Sequence, residues 1–376
     1  MSEVDERHMI RALTLAAQAI GLSDPNPRVG CVLVSADGGQ VLGEGHTQAA
    51  GGPHAEIVAL QDAAARGNGT RGATAYVTLE PCSHQGRTGP CCDALIAAGV
   101  ARVVASAVDP NPLVRGRGLE RLRSAGLHVT VGPGEAATRE LNIGFFHRME
   151  HGRPWVRMKV AASLDGVTAL DNGASRWITS PEARVDGHAW RARAGAILTG
   201  IGTVLADNPR LDVRAVATTR QPDLVLVDSR LQLPADAALF LPGRQLLVAT
   251  AVRDPAREAA LEARGASLLH LPGPGAKVDL GALVEVLAER QVNELHVEAG
   301  HKLNGSLLRA GLVNELLLYL APSLLGQGQP VAALGPLTDL VGGIQLAFDD
   351  IAQVGPDLRV RARVVAKPAS PLNAGG

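Results

Sequence analysis

Residues His54-Ala55-Glu56 and Pro81-Cys82, with Cys91 following after eight intervening positions, constrain this chain more than any other feature. One imidazole, two thiols and a carboxylate within about forty residues are what a catalytic zinc site requires: three protein ligands, an open position for water, and a group to move protons. Any fold that uses them must bring three separate segments together. Gly51-Gly52-Pro53 delivers the chain to His54 at the start of one expected helix, and Pro90 precedes Cys91 at the start of another. The positive ends of two helix dipoles would then face the metal and favour thiolate over thiol. Glu56 would stand beside the metal without binding it, placed to take a proton from water and pass it to a leaving amine.

Zinc deaminases of nucleobases carry H-x-E followed by P-C-x-x-C. Here the second spacing is eight residues, with Ser83-His84-Gln85 after Cys82. A longer loop can still return to the same helix start, so the insertion bears on the substrate and not on the metal. A purely structural zinc site would want a fourth side-chain ligand, for which Cys92 is the nearby cysteine left. Cys31, inside an apolar strand, reads as core. Three of the four cysteines crowd between positions 82 and 92, which suits a reducing compartment better than a disulfide framework.

Around this cluster, apolar periodicity predicts a helix carrying Met9, Leu13, Ala16 and Ile20, a hairpin of strands over 29–34 and 41–45, and a helix from Glu56 that stops before Gly67. A strand over 73–79, a helix over 91–98, a strand over 102–108, a helix over 119–125 and a strand over 127–131 complete a layered α/β domain, 1–150. Asp-Pro-Asn-Pro occurs at Asp24 and again at Asp109, but the flanks do not match and both read as turns. A second α/β pattern starts at Arg153, with strands at 155–162, 196–200, 224–227, 246–249, 294–298 and 316–320, helices at 181–193 and 280–289, and an antiparallel pair at the end. It defines a second domain, 151–368, with 369–376 expected to be a disordered tail.

At 376 residues two or three domains are expected. Thirty-six Lys plus Arg against thirty-seven Asp plus Glu give a net charge of −1, so no basic field exists to grip nucleic acid. No apolar run reaches the eighteen or so residues of a membrane span. The expectation is a cytoplasmic protein with no nucleic-acid or membrane partner.

The motifs Asp24-Pro25-Asn26-Pro27-Arg28-Val29-Gly30, Gly52-Pro53-His54-Ala55-Glu56 and the run Thr78-Leu79-Glu80-Pro81-Cys82-Ser83-His84-Gln85-Gly86-Arg87-Thr88 resemble the bifunctional deaminase and reductase family of riboflavin biosynthesis. The second half resembles it through Ala162-Ser163-Leu164-Asp165-Gly166, Trp177-Ile178-Thr179-Ser180, Thr203-Val204-Leu205-Ala206-Asp207-Asn208-Pro209 and Val297-Glu298-Ala299-Gly300. The resemblance implies a cytidine-deaminase-like three-layer domain followed by a dihydrofolate-reductase-like α/β domain. The first would deaminate a phosphoribosylated diaminopyrimidinone with one Zn²⁺ per chain, and the second would reduce the ribosyl group to ribityl with NADPH.

By the same resemblance His54, Cys82 and Cys91 hold zinc, Glu56 shuttles protons, and Asn26, His46, His84 and Arg87 contact substrate. The cofactor would lie against Ala162, Trp177, Thr203, Asp207, Ser229 and the stretch Gly300, His301, Lys302, Leu303, Asn304, Gly305 and Ser306. That stretch reads as a loop entering a helix, a suitable phosphate cradle, although His301-Lys302 departs from a more neutral dipeptide in the family. Substrate would meet Lys159, Ser175, Arg191, Leu211, Arg214 and Glu298, and Asp207 is the carboxylate placed for proton transfer. No G-x-G-x-x-G follows a strand, so a Rossmann site is not supported, and residues alone do not separate NADPH from NADH. A homo-oligomer is compatible with the sequence. The alternatives are a nucleoside or transfer-RNA deaminase with an inactive or binding-only second domain, and a non-catalytic zinc module.

Overall fold

Strand β1 (Gly30–Val34) is buried along its whole length, and its alternation divides it between two cores. Cys31 and Leu33 join one apolar cluster, and Val32 and Val34 join another. A strand that is apolar on both faces must be covered on both. The first unit is accordingly three-layered, in this computed structural model, which describes residues 2–83 and 89–365.

That unit comprises 1–154 with 288–293. It contains α1 (Glu3–Ala17), β1, β2 (Val41–His46), α2 (Ala55–Ala65), β3 (Thr74–Val77), α3 (Cys91–Ala97), β4 (Arg102–Ala105), α4 (Arg117–Ser124), β5 (His128–Val131), α5 (Glu135–Leu141) and α6 (Ile143–His151). Strand order is β2-β1-β3-β4-β5, antiparallel through β3 and parallel from β3 to β5. Met9, Ala12 and Leu15 of α1 cover Tyr76 and Val104 on one face. Ala55, Ala59 and Ala63, spaced one turn apart on α2, pack with Leu95 and Val103 on the other. Helix α2 lies directly on the β2 backbone, because a Cβ at Gly43 would stand 2.3 Å from the Ala59 carbonyl oxygen and one at Gly45 2.6 Å from the Ala59 nitrogen. This close approach fixes the height of α2 above the sheet, and with it His54 and Glu56 at the helix start.

Ser2 caps α1 through the Asp5 N–H, and the buried Asp5 carboxylate receives both ends of the Arg102 guanidinium, at 2.8 and 2.9 Å, and the Tyr76 hydroxyl. The Arg102 hydrogen bonds hold Asp5 at about 2, below its ordinary 3.8. A carboxyl with a depressed folded pKa contributes stability above the unfolded value and loses it as pH falls through the folded one. A third of the Arg102 side chain meets solvent, so screening limits the contribution to about 1–2 kcal/mol. Asp5→Asn is therefore expected to lower the unfolding free energy by that amount at neutral pH, with the gap closing between about pH 4 and pH 2 in urea titrations.

From Trp155 the chain forms β6 (Trp155–Ser163), β7 (Val167–Leu170), α7 (Pro181–Arg193), β8 (Ala196–Gly200), α8 (Ile201–Asp207), β9 (Asp223–Val227), β10 (Leu246–Thr250), α9 (Pro255–Glu262), β11 (Ala266–His270), β12 (Pro272–Gly273), β13 (Lys277–Val278), α10 (Leu280–Glu289), β14 (Glu294–Val297), α11 (His301–Arg309), β15 (Glu315–Ala321), β16 (Gly328–Pro330), β17 (Leu346–Val354) and β18 (Asp357–Val364). Nine strands make one sheet in the order β11-β10-β9-β8-β14-β6-β15-β18-β17. It is parallel except for the last two strands, which pair antiparallel. The expected antiparallel edge is thus present.

One face of this sheet is ionic. Register places Arg157 of β6 opposite both His296 of β14 and Glu315 of β15, and Glu315 opposite Arg363 of β18. Arg157, 1 % exposed, pairs with Glu294 at 2.8 Å and Glu315 at 2.5 Å. Helix α7 closes over them. Its Arg193 reaches Glu294 at 2.7 Å, its Trp190 ring lies 4.4 Å from the Arg157 guanidinium, and its Asp186 accepts from the Tyr319 hydroxyl.

Candidate active site

His54 is the N-cap of α2, but its side chain makes no capping bond. The ring turns instead to the two thiols, with Nδ1 3.6 Å from Cys82 Sγ and 3.4 Å from Cys91 Sγ. All three ligand atoms lie within 4.8 Å of one another. Tetrahedral zinc with bonds of about 2.0–2.3 Å needs ligand atoms about 3.5 Å apart, so this donor set fits the ion in chemistry and in spacing. The Cys91 N–H, first in α3, donates to Cys82 Sγ at 3.3 Å. Hydrogen bonding from Cys91, then from His54, draws the Cys82 thiol down to about 4, while Cys82 and burial push Cys91 up. One sulfur of the pair is therefore ready as a thiolate. Glu56, 4 % exposed in the first turn of α2, is pushed up to about 7 by burial, with the Cys82 charge adding to it and His54 opposing.

Asn26 lies half-buried in the turn before β1, its N–H on the Ser23 carbonyl. His46 ends β2 opposite Gly30, and burial lowers its pKa. His84 and Arg87 lie outside the described residues. Cys31 is core as expected, at 0 % exposure. Cys92 is also buried, and its thiol donates to the Pro81 carbonyl at 3.2 Å.

In the second half a separate cluster forms around Glu298, just past β14. Arg191 of α7 holds its carboxylate with both Nε and Nη2 and donates to the Asp212 carbonyl at 2.9 Å. Lys159 Nζ stands 3.8 Å from Glu298 Oε2. This strand lysine is turned toward Glu298, and burial lowers its pKa although Glu298 opposes this. His296 Nε2 lies 3.4 Å from Glu298 Oε1, and Arg214 pairs with Asp212. His296 and Asp212 were not expected at the site. The period of a strand, which puts residues 296 and 298 on one face, is the signal that would have found His296.

The expected cofactor residues are divided. Gly300 caps α11, and a Cβ there would stand 3.9 Å from Thr203 Oγ1. Thr203 and the first turn of α11 thus adjoin, and an uncapped helix start beside a hydroxyl fits a phosphate-bearing cofactor. Trp177 is 67 % exposed, with the Arg184 guanidinium 4.4 Å from its ring. Asp207 meets Arg176 at 3.1 Å. Ala162 is buried in β6, Ser175 is half-buried in the loop before Trp177, and Ser229 Oγ accepts from the Val278 N–H.

Three further expected site residues lie in packed surroundings. Asn304 is buried and donates to the Val331 carbonyl, and Gly305 is pressed against Ala333, whose oxygen would lie 2.2 Å from a Cβ. Both positions are packed against the segment 331–333. The Leu211 side chain is packed in the apolar core with Ile197 and Leu224.

Comparison with known proteins agrees with both geometries. The family described as the cytidine and deoxycytidylate deaminase zinc-binding region matches residues 2–107, and the RibD C-terminal domain matches 154–360. The riboflavin biosynthesis protein RibD of Escherichia coli (strain K12) is 46 % identical over 368 residues, covering 94 % of this chain and 98 % of that protein. This chain belongs to the RibD family. RibD of Aquifex aeolicus (strain VF5) is 38 % identical over 95 % of this chain and 97 % of its own length. The solved structure of Acinetobacter baumannii RibD superposes with a TM-score of 0.88 at 38 % identity, over 97 % of this chain and 99 % of that one. As a RibD protein it is a bifunctional enzyme of riboflavin biosynthesis, with a zinc-binding deaminase domain followed by a reductase domain. Among the described residues no helix is long and apolar enough to cross a membrane.

Proposed function

We propose that the first unit hydrolytically deaminates 2,5-diamino-6-(5-phosphoribosylamino)pyrimidin-4-one, and that the second reduces the ribosyl group of 5-amino-6-(5-phosphoribosylamino)uracil to ribityl with NADPH. The observation that carries the first assignment is the His54, Cys82 and Cys91 triangle with buried Glu56 beside it. A structure of a Thermotoga maritima protein named for this deaminase and this reductase, 31 % identical over 96 % of this chain with a TM-score of 0.86, supports the substrates.

When bound, a single zinc ion held by His54, Cys82 and Cys91 supplies Lewis-acid activation of water. Glu56 takes the proton of the attacking water and delivers it to the departing ammonia. Burial suits Glu56 to both directions, since a carboxyl titrating near neutrality can accept and return a proton. Asn26, His46, His84 and Arg87 would orient the pyrimidine and its ribose phosphate.

When bound, NADPH supplies the hydride. Thr203, Trp177 and the first turn of α11 from Gly300 to Leu303 would hold it, with Ala162 and Ser229 lining the same site and Ser306 one turn further along the helix. Lys159, Ser175 and Glu298 would position the ribose, and Asp207 would deliver the proton. Arg191 is already engaged by Glu298 and the Asp212 carbonyl. Arg214, with 52 % of its side chain exposed, is the better candidate for the substrate phosphate.

The test uses the full-length protein and measures ammonia release and NADPH absorbance separately. Chelating zinc is expected to stop ammonia release from the diamino substrate while leaving NADPH consumption with the deaminated substrate intact. If the deaminated substrate drives oxidation of neither NADPH nor NADH, the reductase substrate assigned here is wrong.

A further inference from the structure

Cys82 is held on one side by α3, through its carbonyl, which accepts the Cys92 N–H at 3.2 Å, and through its sulfur, which accepts the Cys91 N–H. What holds the chain that leads into it is a different element. Glu80, two residues earlier, is 4 % exposed, and among the described residues its carboxylate is held by backbone N–H groups. Its Oε1 accepts the N–H groups of Gly118, at 2.8 Å, and Leu119, at 3.4 Å. Its Oε2 accepts those of Gly116, at 2.9 Å, and Asp109, at 3.2 Å. Gly116 is the N-cap of α4 and supplies no side-chain cap, so Glu80 caps that helix from another segment of the chain.

Two further contacts tie the same stretch to α4. A Cβ at Gly118 would stand 2.0 Å from the Pro81 carbonyl oxygen, so α4 and the peptide before Cys82 are in backbone contact. The Cys92 thiol lies between them, 3.2 Å from the Pro81 oxygen and 3.4 Å from the Gly118 oxygen. A carboxylate that accepts several backbone N–H groups at a helix start is a rigid joint, since the donors are fixed by the backbone and several charge-assisted hydrogen bonds hold the one side chain.

We propose that Glu80 is a positioning residue for the zinc centre: its carboxylate clamps Pro81-Cys82 to the first turn of α4 and sets where the Cys82 sulfur stands relative to His54 and Cys91. The residue neither binds metal nor touches substrate. Its replacement by glutamine puts an amide NH₂ against N–H donors and loosens the joint while keeping the shape. The proposal rests on the deaminase reading, and the two fail differently. If the unaltered protein takes up no zinc, the reading falls; if it does and Glu80→Gln binds zinc equally well, only the clamp falls.

The experiment compares the full-length protein and Glu80→Gln in competition with a chromogenic zinc chelator, and records the visible spectrum of each after cobalt substitution. Outer groups that orient ligands typically change metal affinity by about 10–100-fold. Glu80→Gln is expected to weaken zinc by that factor and to shift the cobalt bands, with NADPH-dependent reduction unchanged. A lower melting temperature with unaltered zinc affinity and an unaltered cobalt spectrum would mean a helix cap only, and would overturn the proposal. Should Glu80→Gln lose the reductase activity as well, Cys92→Ala is the deciding variant: weaker zinc binding upholds the clamp, and unchanged binding overturns it.

Discussion

Deamination by Glu56→Gln is expected to fall by about two to four orders of magnitude, the usual worth of a positioned general acid and base, with zinc content and NADPH-dependent reduction retained. The amide has the shape of the carboxylate and lies in the same buried turn of α2, so the helix has no reason to move. It cannot accept the proton of the attacking water. His54→Ala or Cys82→Ala should instead lose the metal along with the activity, because the remaining two ligands no longer close a tetrahedral site. Stopped assays of ammonia, with zinc measured on the same samples, distinguish the two classes. Deamination by Glu56→Gln within a few-fold of the unaltered enzyme would remove Glu56 from the mechanism.

That this site could be read from residues follows from where its ligands sit. His54 and Cys91 both open helices whose starts are announced locally, by Gly-Gly-Pro and by Pro90, and Cys82 follows shortly after the short apolar strand β3. Local signals also gave β1, β2 and α7, where Pro181 follows the capping Ser180. They failed between residues 132 and 152. Helices α5 and α6 are short and joined at Asn142, and no apolar stripe separates them from a loop. Helix α9 was missed despite its Asp254-Pro255 start, because eight residues hold too few turns for a period to show.

The second site was legible only by resemblance, for a physical reason. The residues around Glu298 come from β6, α7, the loop after α8 and the end of β14, and no single segment carries more than two of them. Glu80 was in plain view within the motif but carried no signal, since its partners are backbone N–H groups 29 to 39 residues away in the chain. No side-chain pattern encodes such partners.

The largest stability effect is expected at Arg157. Arg157→Met keeps the volume but leaves Glu315 and Glu294 facing each other in a dry interior, with Arg193 neutralising only one of them. Breaking a buried ion pair by removing one partner costs about 3–5 kcal/mol. Replacing both partners, as Arg157→Met with Glu315→Leu, should recover most of it, since apolar substitutes of similar volume are often neutral. Denaturant titrations that follow the reductase activity and far-ultraviolet dichroism of the full chain would measure both. A loss below about 1 kcal/mol in the single variant would show that water reaches the pair and that the ionic layer is not dry.

The same layer bears on how the enzyme responds to temperature. Unfolding an apolar interior raises the heat capacity by about 0.45 cal/mol/K for each Å² exposed, whereas exposing polar surface lowers it by about 0.26. A helix seated on arginines and glutamates therefore returns less heat-capacity change than one seated on leucines. The ionic layer under α7 thus adds less to the heat-capacity change of unfolding than an apolar layer of the same area would.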